Sequence, residues 1–424
     1  MKTTEMEPVT KATLQVFRKK LSPAKLLLPS SFIDANEKEL LEMDFPNSRQ
    51  EAWKYTRLNR VAKINLESTP SSIIDWSSYL MVKDAYNFVF QNTECIYSSP
   101  DLPKGVSIKI GDEIGATDWL SSINEGHVAK LNVAHAQNGC VINISDGVQL
   151  DKPIQLLFIS DGPKQPNFWR NQLQQGKGSK ADIHVGYFSK DAIDSYSNVH
   201  WTVFLKENSH LIMTKIQNDG DANYHFSTEN ISQLKDSNFT LNTLTLDGAF
   251  VRNDVLVKVE GENCETHLNG AYIMKENQHV DNHTTVDHIF PNCNSYELYK
   301  GVMDDKSTAV FNGKVFVRPN AQKINAFQSN ANVLLSNDAA VNSKPELEIY
   351  ADDVKCSHGS TTGQLDEEAI FYLRSRGISE AAARQLVVAA FMQDVFLKVA
   401  SNELKSYIYE QLAVRFNLYS QEKD

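Results

Sequence analysis

The chain has 424 residues, 41% of them hydrophobic, which suffices for a large buried core and argues against a disordered chain. A formal charge of −11 disfavours a nucleic-acid partner, because phosphates call for a concentrated basic face. No window reaches the roughly 18 consecutive apolar residues of a membrane span, and MKTTEMEPVTKATLQVF at the start lacks the apolar run of a secretory signal, so a cytoplasmic protein is expected.

Residues 1–104 read as a helical, then mixed, domain. FRKK at 17–20 is the densest basic run and reads as a solvated helix face. Ser48 followed by Glu51 is a capping-box pattern that predicts a helix through NSRQEAWKYTRLNRVA, with Trp53, Tyr55 and Leu58 forming an aromatic-rich packing face. AYNFVFQNTECIYSS predicts a strand, a turn and a second strand.

From 105 to 362 the pattern becomes one of short alternating stretches: Val106, Ile108, Ile110; Ile142, Ile144; Leu244, Leu246; Val255, Val257, Val259; Leu347, Ile349. Period-two spacing is the signal of strands, whose successive side chains point to opposite faces. Turn clusters near Asn208, Asn238, Asn263 and Asn294 lie about 25–31 residues apart, and no helical period is evident between the strands. That spacing suits the coils of a parallel β-helix better than a sandwich, where turns come every 8–12 residues or so.

Residues 363–424 turn helical. Asp366 is placed to cap EEAIFYLRSR, Gly377 to stop it, and Ser379 to cap EAAARQLVVAAFMQDVFLKVA. The second helix carries Leu386, Phe391, Val395 and Phe396 in an apolar stripe wider than one contact needs, and a last helix follows at about 402–416. These helices suit either a cap on the end of the solenoid or a docking surface for a partner.

Five cysteines, Cys95, Cys140, Cys264, Cys293 and Cys356, are scattered without a CxxC pair, which rules against a disulfide framework or a self-contained four-thiolate site. Cys356 and His358 in VKCSHG stand two apart. In an extended strand they share one face, about 6.5–7 Å apart along the chain. Counting on from inward-facing Leu347 and Ile349 puts them on the outer face. Residues alone leave open a ligand pair or a structural role. His279, Asp281 and His283 also share a strand face, compatible with a metal or with an ordinary polar surface; Cys264 and His267, three apart, point to opposite faces. Cys95, Cys140 and Cys293 lack local partners and read as packing residues. There is no phosphate loop, dinucleotide fingerprint or nucleophile elbow, and no catalytic constellation is assembled.

Three stretches together, RQEAWKYTRL, FNGKVFVRPNAQKINAFQSNANVLLS and PELEIYADDVKCSHGSTTGQLDEEAIFYLRSRGIS, resemble the SufB/SufD family of iron–sulfur cluster assembly proteins, with the cysteine of KCSHG on the SufD side. The resemblance implies a mainly β fold, a right-handed parallel β-helix flanked by N-terminal and C-terminal helical domains. It implies a non-catalytic scaffold that pairs with SufB and binds the ATPase SufC through its C-terminal helices, with Leu386, Phe391, Val395 and Phe396 as the docking candidates. A transient iron–sulfur cluster would form where the two β-helices meet, held here by His358 and Cys356, and SufC would move the C-terminal helices to expose that joint. Reduced flavin is associated with such complexes, though no motif here places it, and a homodimer is expected when SufB is absent. Asp281, Thr284 and His288 match a further pattern shared with SufB, with no role attached. Two other readings compete: a carbohydrate-active β-helix enzyme, of a kind usually secreted, and a purely structural SufC adaptor.

Overall fold

The computed structural model describes residues 27–421 except 29, 44, 69–70 and 116–125; the FRKK run lies outside the described residues. From Cys140 onward successive strands alternate between two sheets, and within each sheet every strand pairs in parallel with the strand two places later in sequence. The result is a parallel β-solenoid of one ten-stranded and one nine-stranded sheet, with helices at both ends of the chain. The expected strand pair is a hairpin, Tyr86–Gln91 with Glu94–Ser98, and Tyr86–Gln91 joins the ten-stranded sheet by pairing with Ile154–Asp161.

At one corner of successive coils the chain turns through a residue in the left-handed region: Gly178, Asn208, Asp236, Asn263, Asn292 and Lys323 all have φ between 55 and 64°. They recur every 27–31 residues, which is the loose period visible in the turn clusters. Asparagine, aspartate and glycine tolerate this conformation best, which is why the corners are rich in them. Inside, alternate residues such as Val199, Trp201, Val257, Leu268, Phe311 and Ala326 stack into one continuous core.

Two segments lie against the outer faces. Residues 45–66 pack Phe45, Trp53, Leu58 and Val61 on a ladder formed by Phe168, Tyr196, Phe226 and Phe250 of the nine-stranded sheet. The helix expected after Ser48 is absent. Its place is taken by short 3-10 turns at Glu51–Trp53 and Val61–Lys63, Gln50 precedes the first with no side-chain cap, and Tyr55 is exposed. Trp53 is held by Arg252, whose guanidinium lies 3.8 Å from the ring centroid, and packing on the sheet outweighs helical pattern here. α1 (Ser30–Glu42) rests on α2 (Gly126–His135), a helix that interrupts the β region unannounced. α2 is buried nearly all round, with Asn132 donating to the Trp169 and Asn198 carbonyls, so it has no amphipathic period to read.

At the other end of the chain, α3 (Glu367–Ser375) is capped by the Asp366 carboxylate and closed by Gly377 at φ 86°, and α4 (Glu380–Met392) is capped by Ser379, all as read from the sequence. α5 runs Asn402–Gln421. None of the three covers the end of the solenoid. They lie along the outer face of the ten-stranded sheet, where Val388, Met392, Val395, Phe396 and Leu404 pack on Ile216, Leu244, Ala271 and Val302. Lys300 fixes the end of α4 by donating to the Phe391 carbonyl and to Asp394 at 2.7–2.8 Å. Val395 and Phe396, expected on a docking surface, are therefore buried against the protein's own sheet. Phe396→Ala should destabilise the fold by about 3–5 kcal/mol, as a large-to-small core substitution does, read as a lower midpoint in chemical denaturation.

Candidate functional site at the uncovered last coil

The last two strands, Ala340–Ile349 and Val354–Gly363, form the two free edges at one end of the solenoid. Among the described residues each pairs on one side only, so each presents a row of backbone donors and acceptors. Val354–Gly363 pairs with Ile324–Leu334 in a register that sets Cys356 beside Ala326 and His358 beside Gln328. Ala326 belongs to the inner core and Cys356 packs against that core. Across the interior, the Ser360 hydroxyl donates to Ser343 of the neighbouring sheet at 2.8 Å.

Cys356 and His358 thus share a face, as period two requires, but it is the inner face and not the outer one. Leu347 also points inward from its own sheet, and the corner at Tyr350–Asp353 resets the phase between the strands. That corner is fixed by the Lys323 amide on the Asp353 carbonyl, 2.6 Å, and the Asp353 amide on the Gln322 side chain, 2.8 Å. Both ligand candidates stay accessible because no further coil lies over them: His358 is exposed and Cys356 half-buried. Burial pushes the Cys356 thiol up, against a hydrogen bond from the Ala326 backbone that lowers it. A metal that took it as thiolate would displace the proton. Among the described residues no three His, Cys, Asp or Glu side chains converge as a metal site.

Behind them runs a row that pattern reading did not reveal. Glu297, Gln328 and His358 are register neighbours on successive coils of the inner face. Glu297 is buried and accepts from the Thr284 hydroxyl. Burial pushes its carboxyl up to about 7, against the hydrogen bond from Thr284 that lowers it. Gln328 fits because Gly313 faces it; a Cβ there would lie 2.0 Å from the amide nitrogen. Deeper still, Lys215 donates to Glu229, Ser227 and Asn253 in a fully buried polar cluster. A single glutamate within an alternating strand gives no sequence signal of this stacking, which exists only once coil register is known.

Other sequence candidates resolve differently. Asp281 lies on an outer face beneath Trp53 and Thr56, bonded to Arg252, Thr56 and His283. Burial alone would raise its carboxyl, but Arg252, His283 and His279 outweigh that and hold it well below the usual range. Thr284 and His288 face the interior instead; His288 bonds Ser295 at 2.9 Å, and burial lowers its imidazole to about 4. His267 pairs with Glu265 and stacks on Tyr296. Cys264 and Cys293 occupy the same corner on adjacent coils. Both thiols donate to the Gly261 carbonyl at 3.3 Å, so Cys293 is not a residue without a partner. On the C-terminal helices, Leu386 is 50% exposed, with Phe371 and Tyr372 of α3 exposed nearby in sequence, whereas Phe391 is partly buried beneath Lys300.

The sequence model of the family described as "SUF system FeS cluster assembly, SufBD core domain" matches residues 158–391, more than half of the chain. The chain belongs to the SufB/SufD family. It is SufD-like within it: the iron–sulfur cluster assembly protein SufD of Escherichia coli (strain K12) is 28% identical over 383 residues, covering 89% of this chain and 90% of its own. An iron–sulfur cluster assembly SufBD family protein of Synechocystis is 28% identical over 395 residues, 87% of each chain. The chloroplastic protein ABCI7 of Arabidopsis thaliana is 26% identical over 405 residues, 91% of this chain and 85% of its own. No helix among the described residues is long and apolar enough to cross a membrane.

Because the folded pKa of Glu297 is raised, the native state keeps a proton between pH 4.5 and about 7 that the unfolded chain has lost. The stability this group contributes is complete below pH 4.5 and lost as pH rises to 7. Glu297→Gln, neutral at every pH, should therefore be more stable than wild type above pH 7, by about 3 kcal/mol at most, with the difference vanishing towards pH 4.5. Urea denaturation at pH 5 and pH 8 reads the effect.

Proposed function

We propose that this chain is the scaffold half of a composite iron–sulfur assembly site, with SufB as the second half. The observation that carries the proposal is the uncovered last coil. Cys356 and His358 stand on its open inner face, between two unpaired strand edges, with too few donors to hold a cluster alone. A partner whose strands continue either sheet would cover that end and bring its own ligands. In this site iron and sulfide are cargo. Cys356 supplies a thiolate once its proton is displaced, and His358 supplies a neutral nitrogen, which makes a bound cluster less electron-rich. Few ligands shared between two chains favour release of the finished cluster. Nothing in the arrangement calls for bond-breaking by this chain, and it acts as a scaffold, not an enzyme.

ATP hydrolysis on this reading belongs to SufC, docked on the exposed surface of α3 and α4, where Leu386, Phe371 and Tyr372 lie open to solvent. The adaptor reading differs in one respect: it gives Cys356 and His358 no part. Without SufB, the same edges favour a homodimer.

Anaerobic reconstitution with SufB and SufC separates these readings. His358→Ala should abolish the cluster's visible absorption and Cys356→Ala should reduce it, with SufC still co-purifying. Full absorption in His358→Ala would leave only the adaptor. Leu386→Asp should cut SufC recovery several-fold in pull-down without lowering the melting temperature, since its side chain is half exposed.

A further inference from the structure

The aromatic ladder on the outer face of the nine-stranded sheet ends in an open pocket. Phe168, Tyr196, Phe226, Phe250 and His279 stack on successive coils at centroid distances of 5.5, 5.3, 5.2 and 4.9 Å. Phe250 and His279, at the end of this row, help line a cavity of about 310 Å³ between the sheet and the loop that follows Trp53. That volume suits a small molecule.

The charge around the cavity is one-sided. Arg57 and Arg60 from the loop and Lys306 from a coil corner line it, and no aspartate or glutamate does. All three are exposed, and none has a carboxylate within ion-pair distance among the described residues. Three acids of the surrounding strands and corners are engaged elsewhere: Asp281 with Arg252 and His283, Glu276 with Lys275, and the Asp305 carboxylate with the Glu276 amide. In a chain of net charge −11, three unpaired cations gathered around one concavity are a local reversal of sign. His279 is spoken for on both nitrogens, by Thr308 at 2.6 Å and Thr56 at 3.2 Å, so its ring acts as part of the floor. Tyr55, 44% exposed, forms another aromatic wall.

We propose that this pocket is a binding site for a small phosphorylated anion, held by Arg57, Arg60 and Lys306 over the Phe250–His279 floor. The site is separate from Cys356 and His358 and does not depend on the assembly role. Guanidinium forks match phosphate oxygens in pairs, and a lysine adds a point charge. The shared chemistry is the phosphate; the carrier is inorganic or a base-bearing ester, and the aromatic walls give an ester extra area to stack on.

Titration calorimetry on the full chain at low salt, with pyrophosphate and with ATP as probes, tests this. Saturable binding is expected for at least one, weakened about tenfold by Arg60→Ala or by Lys306→Ala, the scale of a lost charge-assisted contact. Lys104→Ala, at an exposed lysine that does not line the pocket, should bind as wild type does. Tighter binding of ATP than of pyrophosphate, with the advantage lost in Tyr55→Ala, identifies a base-bearing ligand; equal binding identifies a compact oxyanion. Each variant replaces an exposed side chain, so an unchanged melting temperature without ligand shows the fold intact. Absence of saturable binding for both probes overturns the proposal, as does binding undiminished in the Arg60→Ala/Lys306→Ala double variant.

Discussion

Every coil of this protein completes the hydrogen bonding of the coil before it, and that single requirement organises the rest. A parallel solenoid has no internal way to stop: its final coil is always left with one edge unpaired. At the start of the chain each sheet ends instead in an antiparallel strand, Glu94–Ser98 against Tyr86–Gln91 and Val106–Ile110 against Cys140–Ile144. At the other end it is left open, and Ala340–Ile349 and Val354–Gly363 remain as bare edges. An interior face that is sealed in the middle coils opens at this end. The half-buried thiol and exposed imidazole owe their accessibility to this defect and to no local loop or cleft.

The outer faces are closed by two clasps of different chemistry. On one side Arg252 joins the Trp53 ring, the Ala52 carbonyl, Asp254 and Asp281 in one buried knot. Removing either charge of the Arg252–Asp281 pair would strand the other away from water, which costs far more than the pair contributes. On the other side the contact is largely apolar, with Lys300 and Arg415 as the polar fastenings of α4 and α5. Because α3–α5 lie beside the solenoid, the end with the ligand candidates stays clear. The same sheet that bears the helices bears Val354–Gly363 at its edge, with Lys300 on a strand only two places away.

Much of this was legible in the residues. Period-two stretches and asparagine-rich corners announced the solenoid, since both follow from local backbone chemistry. Asp366, Ser379 and Gly377 marked the helix ends for the same reason. What escaped depends on tertiary context. The phase of Cys356 and His358 could not be carried through the corner at Tyr350–Asp353, because a corner of unknown shape resets strand parity. The apolar stripe of α4 was visible, but not that Val395 and Phe396 would be spent on the protein's own sheet. α2 was invisible because burial on all sides erases periodicity, and Ser48 and Glu51 imitated a cap where Trp53 is anchored by a residue about two hundred positions away. Glu297 needed the register of three coils to be noticed at all.

The near-constant step between left-handed corners has a consequence for how such chains change over time. Gain or loss of one corner-to-corner unit lengthens or shortens the solenoid by a whole rung and leaves every other rung in register. The position of Cys356 and His358 is ordinal, not metric: they belong to whichever coil comes last. A lineage is therefore free to vary the length of the body while the open-edged end keeps its surroundings, as the tip of a screw keeps its shape whatever the number of threads.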